Sequence, residues 1–149
     1  MLLATEQLAE HRHLVAMVDG GFDPLHDGHV EYFREARRLG APVLCNVSGD
    51  AYVSRKHPPL LPEDQRVRVI DALRDVDYTH LSQTTTAWVL GELQPRYYVK
   101  GADWRGRLPD EETEVCAEMG VEIVFLDTVV DSSTALLERC LGRWERVAP

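Results

Sequence analysis

Short apolar runs alternate with amphipathic helical segments along nearly all of this chain of 149 residues. The apolar runs predict strands at 14–18, 42–47, 76–81, 96–100 and 121–126. The segments that follow them predict helices at 29–39, 63–74, 84–93, 110–119 and 133–141. Strands that alternate with helices of about ten residues indicate a parallel sheet with right-handed crossovers. We therefore predict an α/β fold with a five-stranded parallel sheet and helices on both faces.

The length and the lack of internal repeats predict a single Rossmann-like domain over residues 1–149. We expect the domain to begin with a leading helix within residues 1–13 and to end with a C-terminal tail at 142–149. The chain is large enough to bury a core without disulfides, and its three cysteines include no Cys-x-x-Cys pair. This cysteine usage favours a reducing, cytoplasmic location.

Two classes of partner are disfavoured by composition. The formal net charge of −9 argues against non-specific binding to nucleic acid, which requires clustered lysine and arginine. No apolar stretch approaches the roughly 20 residues of a membrane span, and the first residues lack the pattern of a signal peptide. We therefore expect neither a nucleic-acid partner nor a membrane partner.

The most informative segment reads Gly20-Gly21-Phe22-Asp23-Pro24-Leu25-His26-Asp27-Gly28-His29. It lies between the first predicted strand and the helix that follows, at the sheet edge where α/β proteins bind ligands. Free backbone N–H groups at a helix start favour an anion, and Gly28 permits close approach of a phosphate. The alternatives are a structural histidine pair and a zinc pair, but metalloprotease spacing and a nearby cysteine are both missing. The segment therefore favours a polyphosphate site that uses His26 and His29.

Three later segments also fall at or just after predicted strand ends. The proline-rich loop at 54–66 carries Arg55, Lys56 and Arg66, and a lysine on such a loop is able to close onto a phosphoryl group. Its alternative is a solvated surface loop. After the strand at 96–100, Gly101 allows close backbone approach and Asp103 is able to accept bonds from ribose hydroxyls.

The last of these segments is Asp131-Ser132-Ser133-Thr134, which opens the final predicted helix. Its simplest interpretation is a helix N-cap, since aspartate and serine commonly precede an apolar-periodic run. A cap and a phosphate site are compatible, because hydroxyl and N–H groups at a helix start also bind phosphate.

Together the segments resemble the cytidylyltransferase-like nucleotidyltransferases. Gly-x-Phe-Asp-x-x-His-x-Gly-His is similar to the family's first signature, and Lys100-Gly101-x-Asp103 is similar to its Lys-Gly-x-Asp motif. The resemblance runs from Thr5 to Arg139 and is nearest to heptose adenylyltransferase domains, with glycerol-3-phosphate cytidylyltransferases second. Asp127-Thr128 departs from the Arg-Thr pair usual in cytidylyltransferases, and this difference disfavours the interpretation as a cytidylyltransferase.

The resemblance implies an enzyme that transfers a nucleotide, with ATP favoured over CTP, to a sugar phosphate such as heptose 1-phosphate. A CTP-dependent enzyme for a polyol phosphate or phosphonate is the first alternative, and a non-catalytic nucleotide-binding protein is the second. The resemblance also implies a homodimer, Mg²⁺ bound mainly by the nucleotide phosphates, and no metal held by protein ligands.

The predicted residues fall into two groups. The expected catalytic residues are His26, His29 and Lys56, with Arg55 as a competitor for the role of Lys56. The expected nucleotide-binding residues are Gly20, Gly21, Phe22, Asp23, Gly28, Arg66, Lys100, Gly101, Asp103, Ser132, Ser133 and Thr134. Two roles remain open for Asp23: it orients either the acceptor or the metal.

Overall fold

Six parallel strands form one sheet in the computed structural model, which describes residues 1–127 and 133–144. The strands are β1 (Leu2–Leu3), β2 (Ala16–Gly20), β3 (Val43–Ser48), β4 (Tyr78–Ser82), β5 (Tyr97–Gly101) and β6 (Glu122–Leu126). Their order across the sheet is β1-β4-β3-β2-β5-β6. The predicted α/β fold with a parallel sheet is confirmed, and the predicted number of five strands is one too few.

The additional strand is β1, which lies in the segment predicted as a leading helix. Leu2 and Leu3 pair in parallel with Thr79 and His80 at one edge of the sheet. A 3-10 helix follows at Thr5–His11. A strand of two residues is too short to show a hydrophobic period, so only its pairing with β4 reveals it.

Six α-helices occur in the part of the chain that the structure describes. They are α1 (Asp27–Arg37), α2 (Asp50–Val53), α3 (Glu63–Asp71), α4 (Thr86–Leu93), α5 (Asp110–Met119) and α6 (Ser133–Trp144). The short α2 was not predicted, and α6 continues through residues 142–144, which were predicted as tail. Residues 145–149 of that tail lie outside the described residues.

Helices cover both faces of the sheet, as predicted. On one face, α1 and α3 pack their apolar side chains, among them Phe33 and Ile70, against β2, β3 and β5. On the other face, α4, α5 and the 3-10 helix enclose a second cluster that includes Leu8, Leu90 and Cys116. Both faces of the central strands are therefore buried, which explains why these strands appear in the sequence as continuous apolar runs.

The connections place a crevice between β2 and β5. The chain passes from β2 to β3 and β4 on one side, and then returns to β5 on the other side of β2. At such a reversal the connections that leave the carboxyl ends of neighbouring strands run to opposite faces of the sheet, which is where open α/β sheets bind ligands. None of the helices described here is both long and apolar enough to span a membrane.

Candidate active site

A cavity of about 330 Å³ opens at the carboxyl ends of β2 and β5. Ten of the residues predicted from sequence line it: Gly20, Gly21, Phe22, Asp23, His29, Lys56, Lys100, Gly101, Asp103 and Ser133. They come from four separate segments that the fold brings to one sheet edge. His26, Gly28 and Arg66 are not part of the cavity lining.

The first segment leaves β2 at Gly20 and enters α1, for which His26 is the N-cap residue. Phe22 is buried and has a φ of 51°, in the left-handed region that bulky residues seldom adopt. Its ring packs edge-on against His29, with the ring centroids 5.0 Å apart. His26 stacks on His29 at a centroid distance of 3.8 Å. The two imidazoles thus form one unit, with His29 on the cavity side, and Gly28 lies in the first turn of α1.

His29 is electrically neutral in this environment. Burial, and secondly the neighbouring His26, lower the pKa of His29 from 6.5 to about 3. The Nδ1 atom of His29 is buried and has no hydrogen-bond partner among the described residues. A neutral imidazole carries one N–H group, so His29 is suited to donate a single hydrogen bond to an anion in the cavity.

Asp23 connects the first segment to the loop at 54–66, named the lysine loop here because it carries Lys56. Its buried carboxylate accepts hydrogen bonds from the backbone N–H groups of Leu60, at 2.7 Å, and Leu61, at 3.1 Å. These are charge-assisted bonds, which are stronger than bonds between neutral groups. The carboxylate therefore holds the loop that carries Lys56 beside the glycines of the first segment.

Arg66 lies where the lysine loop meets the first segment, and the residue is only 1% exposed. Its guanidinium donates to the carbonyl oxygens of Gly21, Ser48 and Leu61 and to the carboxylate of Asp50. These contacts hold together the ends of β2 and β3 and the lysine loop. Nucleotide binding by Arg66 stays a prediction, and in this structure its bonds position the walls of the cavity.

The two neighbouring cations of the lysine loop face different spaces. Lys56 lines the cavity described above, whereas Arg55 lines a second, adjacent cavity. Both contact Tyr52, since the Arg55 guanidinium lies 5.6 Å and the Lys56 amino group 5.8 Å from its ring centroid. This placement favours Lys56 over Arg55 as the cation for a ligand in the first cavity.

Lys100 forms a buried ion pair that sequence reasoning missed. Its amino group lies 2.9 Å from Oδ1 of Asp19, and the two side chains are 8% and 9% exposed. Lys100 also lies 4.2 Å from the ring centroid of Trp104. A charged residue at the end of the apolar run of β2 was the available signal for Asp19.

The ion pair belongs to a larger polar network on the α4 and α5 face of the sheet. Tyr98 donates to Asp19 at 3.3 Å and to Glu112 at 2.8 Å, and Thr86 donates to Asp19 at 3.1 Å. Burial, with a further contribution from Asp19, raises the pKa of Glu112 above its usual range. These groups support the cavity floor beside β5.

The other predicted residues complete the cavity rim. A Cβ atom at Gly101 would lie 2.5 Å from Oδ1 of Asp103, so the Asp103 side chain occupies the space that a larger residue would need. Ser133, at the start of α6, donates to the carbonyl oxygen of Pro24 at 3.0 Å. Ser132 and the side chain of Thr134 lie outside the part of the chain that is described.

Within residues 1–127 and 133–144, no three His, Cys, Asp or Glu side chains are grouped to hold a metal ion. Three carboxylates of the cavity already have protein partners: Asp19 with Lys100, Asp23 with backbone amides, and Glu112 with Tyr98. These residues do not offer a protein cage for a cation.

Comparisons with known proteins agree with this geometry. The model of the family described as cytidylyltransferase-like matches residues 17–138. Proteins named bifunctional protein HldE are similar over most of this chain, with 42% identity over 92% of it in Streptomyces coelicolor and 36% over 93% in Alkalilimnicola ehrlichii. The match spans only 30% of the length of each of these two relatives.

A shorter match and a solved structure extend the comparison. A protein named FAD synthase from Methanolacinia petrolearia is 40% identical over 51% of this chain and 52% of its own length. The crystal structure of a lipopolysaccharide core biosynthesis protein from Thermoplasma volcanium superposes with a TM-score of 0.66 and 25% identity. It covers 77% of this chain and 97% of that protein.

Proposed function

The chain belongs to the cytidylyltransferase-like family of nucleotidyltransferases, and from this premise we propose its reaction. It transfers the nucleoside monophosphate of ATP to a sugar phosphate such as heptose 1-phosphate and releases pyrophosphate. One observation carries the proposal: Gly20 and Gly21, His29, Lys56, and Ser133 at the start of α6 all line one cavity. Such a set of one cation, neutral donors and a helix N-terminus suits a triphosphate.

The chemical step needs no protein nucleophile, because the acceptor is itself an anion. An oxygen of the acceptor phosphate forms a bond to the α-phosphorus of the nucleotide. The bond between that phosphorus and the oxygen bridging to the β-phosphorus breaks, and its electron pair leaves with pyrophosphate. Catalysis then consists of positioning the two substrates and stabilising the charge that develops on the transferred group.

The described residues have distinct parts in this step. His29, supported by the stacked ring of His26, donates to a phosphate oxygen, and Lys56 closes over the triphosphate. The start of α6, with Ser133, faces the terminal phosphates, while Asp103 accepts from the ribose. Asp23 acts indirectly, by holding the lysine loop.

Magnesium enters the proposal as part of the substrate. A triphosphate carries Mg²⁺ on its own oxygens, where the ion neutralises phosphate charge. The carboxylates of the cavity that are already paired with protein groups do not fit a resident metal. No step of the mechanism requires the protein to hold the ion.

Three considerations support ATP and a sugar phosphate as the substrates. The similarity to bifunctional HldE proteins extends over more than nine tenths of this chain. The FAD synthase among the relatives is named for an adenine dinucleotide. The structural neighbour from Thermoplasma volcanium is named for lipopolysaccharide core biosynthesis, and that core is a carbohydrate. We also propose a homodimer as the assembly, on the resemblance to heptose adenylyltransferase domains.

Two other functions compete with this one. A CTP-dependent transferase for a polyol phosphate has the same cavity and differs in the base and the acceptor. A nucleotide-binding protein without chemistry would bind ATP and release no pyrophosphate. His29, Lys56 and Ser133 in the lining of one cavity favour a catalytic protein over the latter.

The test is pyrophosphate release with Mg²⁺, with ATP and CTP assayed separately against heptose 1-phosphate, other sugar 1-phosphates and glycerol 3-phosphate. ATP with a sugar 1-phosphate is the expected pair, and release with CTP alone would replace the adenylyl proposal. His29→Ala should lower kcat by roughly a hundredfold, the usual effect of losing one transition-state donor. His13→Asn is the matched control, because His13 is exposed and precedes β2, at the opposite edge of the sheet.

A further inference from the structure

A second cavity, also of about 330 Å³, lies next to the first. It is formed by α2, the end of β4, the start of α4 and the residues at the start of α5. Tyr52, Pro109 and Glu112 line both cavities, so the two spaces share one wall. A molecule in the second cavity is therefore adjacent to a nucleotide held in the first.

The charge in the second cavity is unevenly placed. Arg55 is the cation of its described lining, and the Arg55 guanidinium lies against Tyr52, at the shared wall. Glu111 and Glu112, from α5, also line it, so a ligand that is anionic throughout would be repelled. The cavity thus suits a molecule with a single anionic group, and that group belongs at the Arg55 side.

The rest of the lining is polar and neutral. It includes the exposed side chains of Gln83 and Thr84 beyond the end of β4. Gln83 is held in place by a hydrogen bond from its Nε2 to Glu63, at 2.7 Å. Hydroxyl, amide and carboxylate groups together are able to donate to and accept from a row of hydroxyl groups.

We propose that this second cavity binds the acceptor, a phosphorylated polyhydroxy compound, with its phosphate at Arg55 and its hydroxyls toward Gln83 and Thr84. This inference rests on the proposed function and adds to it the location and orientation of the acceptor. Arg55 then holds the phosphate of the acceptor, and Lys56 holds the phosphates of the nucleotide. The shared wall at Tyr52 is where the acceptor oxygen reaches the α-phosphorus.

Kinetics of two adjacent variants test this division. Arg55→Gln should raise the KM for the acceptor by about ten- to a hundredfold and leave the KM for the nucleotide unchanged, because a charge-assisted contact to phosphate is lost. Lys56→Gln should affect the nucleotide KM or kcat instead. Thr84→Val should raise only the acceptor KM, by a few fold. Arg74→Gln, a change at an exposed arginine just before β4, is the matched control and should leave both constants unchanged.

A binding experiment separates failure of this inference from failure of the proposed function. Amide chemical shifts are recorded while D-mannose 1-phosphate is added to protein saturated with α,β-methylene-ATP. The expected result is perturbation at residues 83–86 with the nucleotide still bound, and its loss in Arg55→Gln. Perturbation there without pyrophosphate release would refute the reaction and keep the site. Turnover with an unchanged acceptor KM in Arg55→Gln, displacement of the nucleotide, or no perturbation by the sugar phosphate would overturn the inference.

Discussion

Removal of the Asp23 carboxylate should release the lysine loop from the rest of the site. In the structure this carboxylate accepts from the N–H groups of Leu60 and Leu61, at 2.7 and 3.1 Å. Asp23→Ala removes both acceptors, and Asp23→Asn keeps one amide oxygen that is uncharged. The two variants should therefore form a graded series in which the loop is held progressively less well.

The magnitude follows from the two bonds. Each hydrogen bond to a charged group contributes about 1.5–3 kcal/mol, and about 1.4 kcal/mol corresponds to a tenfold change in an equilibrium constant. Loss of one such bond should thus raise the local opening constant about tenfold or more. Global stability is a poor readout, because Asp23→Ala also removes a carboxylate that is only 2% exposed and costly to desolvate.

Hydrogen exchange of individual amides is the appropriate assay. The Leu60 and Leu61 amides should exchange at least about tenfold faster in Asp23→Ala than in the wild type, with Asp23→Asn in between. Asp27→Ala is the control, since Asp27 is exposed in the first turn of α1. Wild-type exchange at both amides in a folded Asp23→Ala protein would refute the role given to this carboxylate.

Three further predictions concern stability, measured by urea unfolding. Lys100→Met should cost about 3–5 kcal/mol, because it leaves the buried Asp19 carboxylate without its cation. Gly49→Ala should cost about 1–3 kcal/mol, because its Cβ would lie 3.0 Å from the backbone carbonyl oxygen of Ser82. Folding lowers the pKa of His29 from 6.5 to about 3. Between pH 6.5 and 3, His29 is therefore protonated in the unfolded chain and neutral in the folded protein. The free energy of unfolding consequently falls as the pH drops below 6.5. From pH 7 to 5 this loss is about 2 kcal/mol, and it should be absent in His29→Gln.

Each of these three stability predictions has a result that would contradict it or a control variant. Asp19→Asn combined with Lys100→Met should recover part of the loss, and additive costs would contradict the ion pair. Gly142→Ala, in α6, should be neutral or slightly stabilising, because among the described residues no atom outside the helix's own backbone lies within 4 Å of the new Cβ. A pH dependence in His29→Gln equal to that of the wild type would contradict a neutral buried His29.

The secondary structure was largely readable because the signals are local. Five apolar runs were long enough to be recognised as strands, and they correspond to β2, β3, β4, β5 and β6. β1 and α2, with 2 and 4 residues, were missed because neither is long enough to show a period. The parallel arrangement followed from the alternation itself, since parallel neighbours need a crossover between them.

The candidate site was predictable only as a set of segments. Glycines, histidines and a lysine that follow strands point to a phosphate site, and ten of the predicted residues line the cavity. Their individual contacts were not predictable, because they depend on residues distant in sequence. Asp23 binding to Leu60 and Lys100 binding to Asp19 are examples, each joining separate segments.

The sequence by itself determined the class of fold, the sheet edge that carries the candidate site and the family, since each depends on local periodicity and short motifs. Only the tertiary structure decided which of two side chains adjacent in sequence lines which cavity. Arg55 and Lys56 are adjacent in sequence and chemically alike, yet they line different cavities. The physical reason is that the direction of a side chain depends on the local backbone of α2 and the loop after it. That backbone is held by Asp23 and Arg66, whose partners become neighbours only when the chain folds.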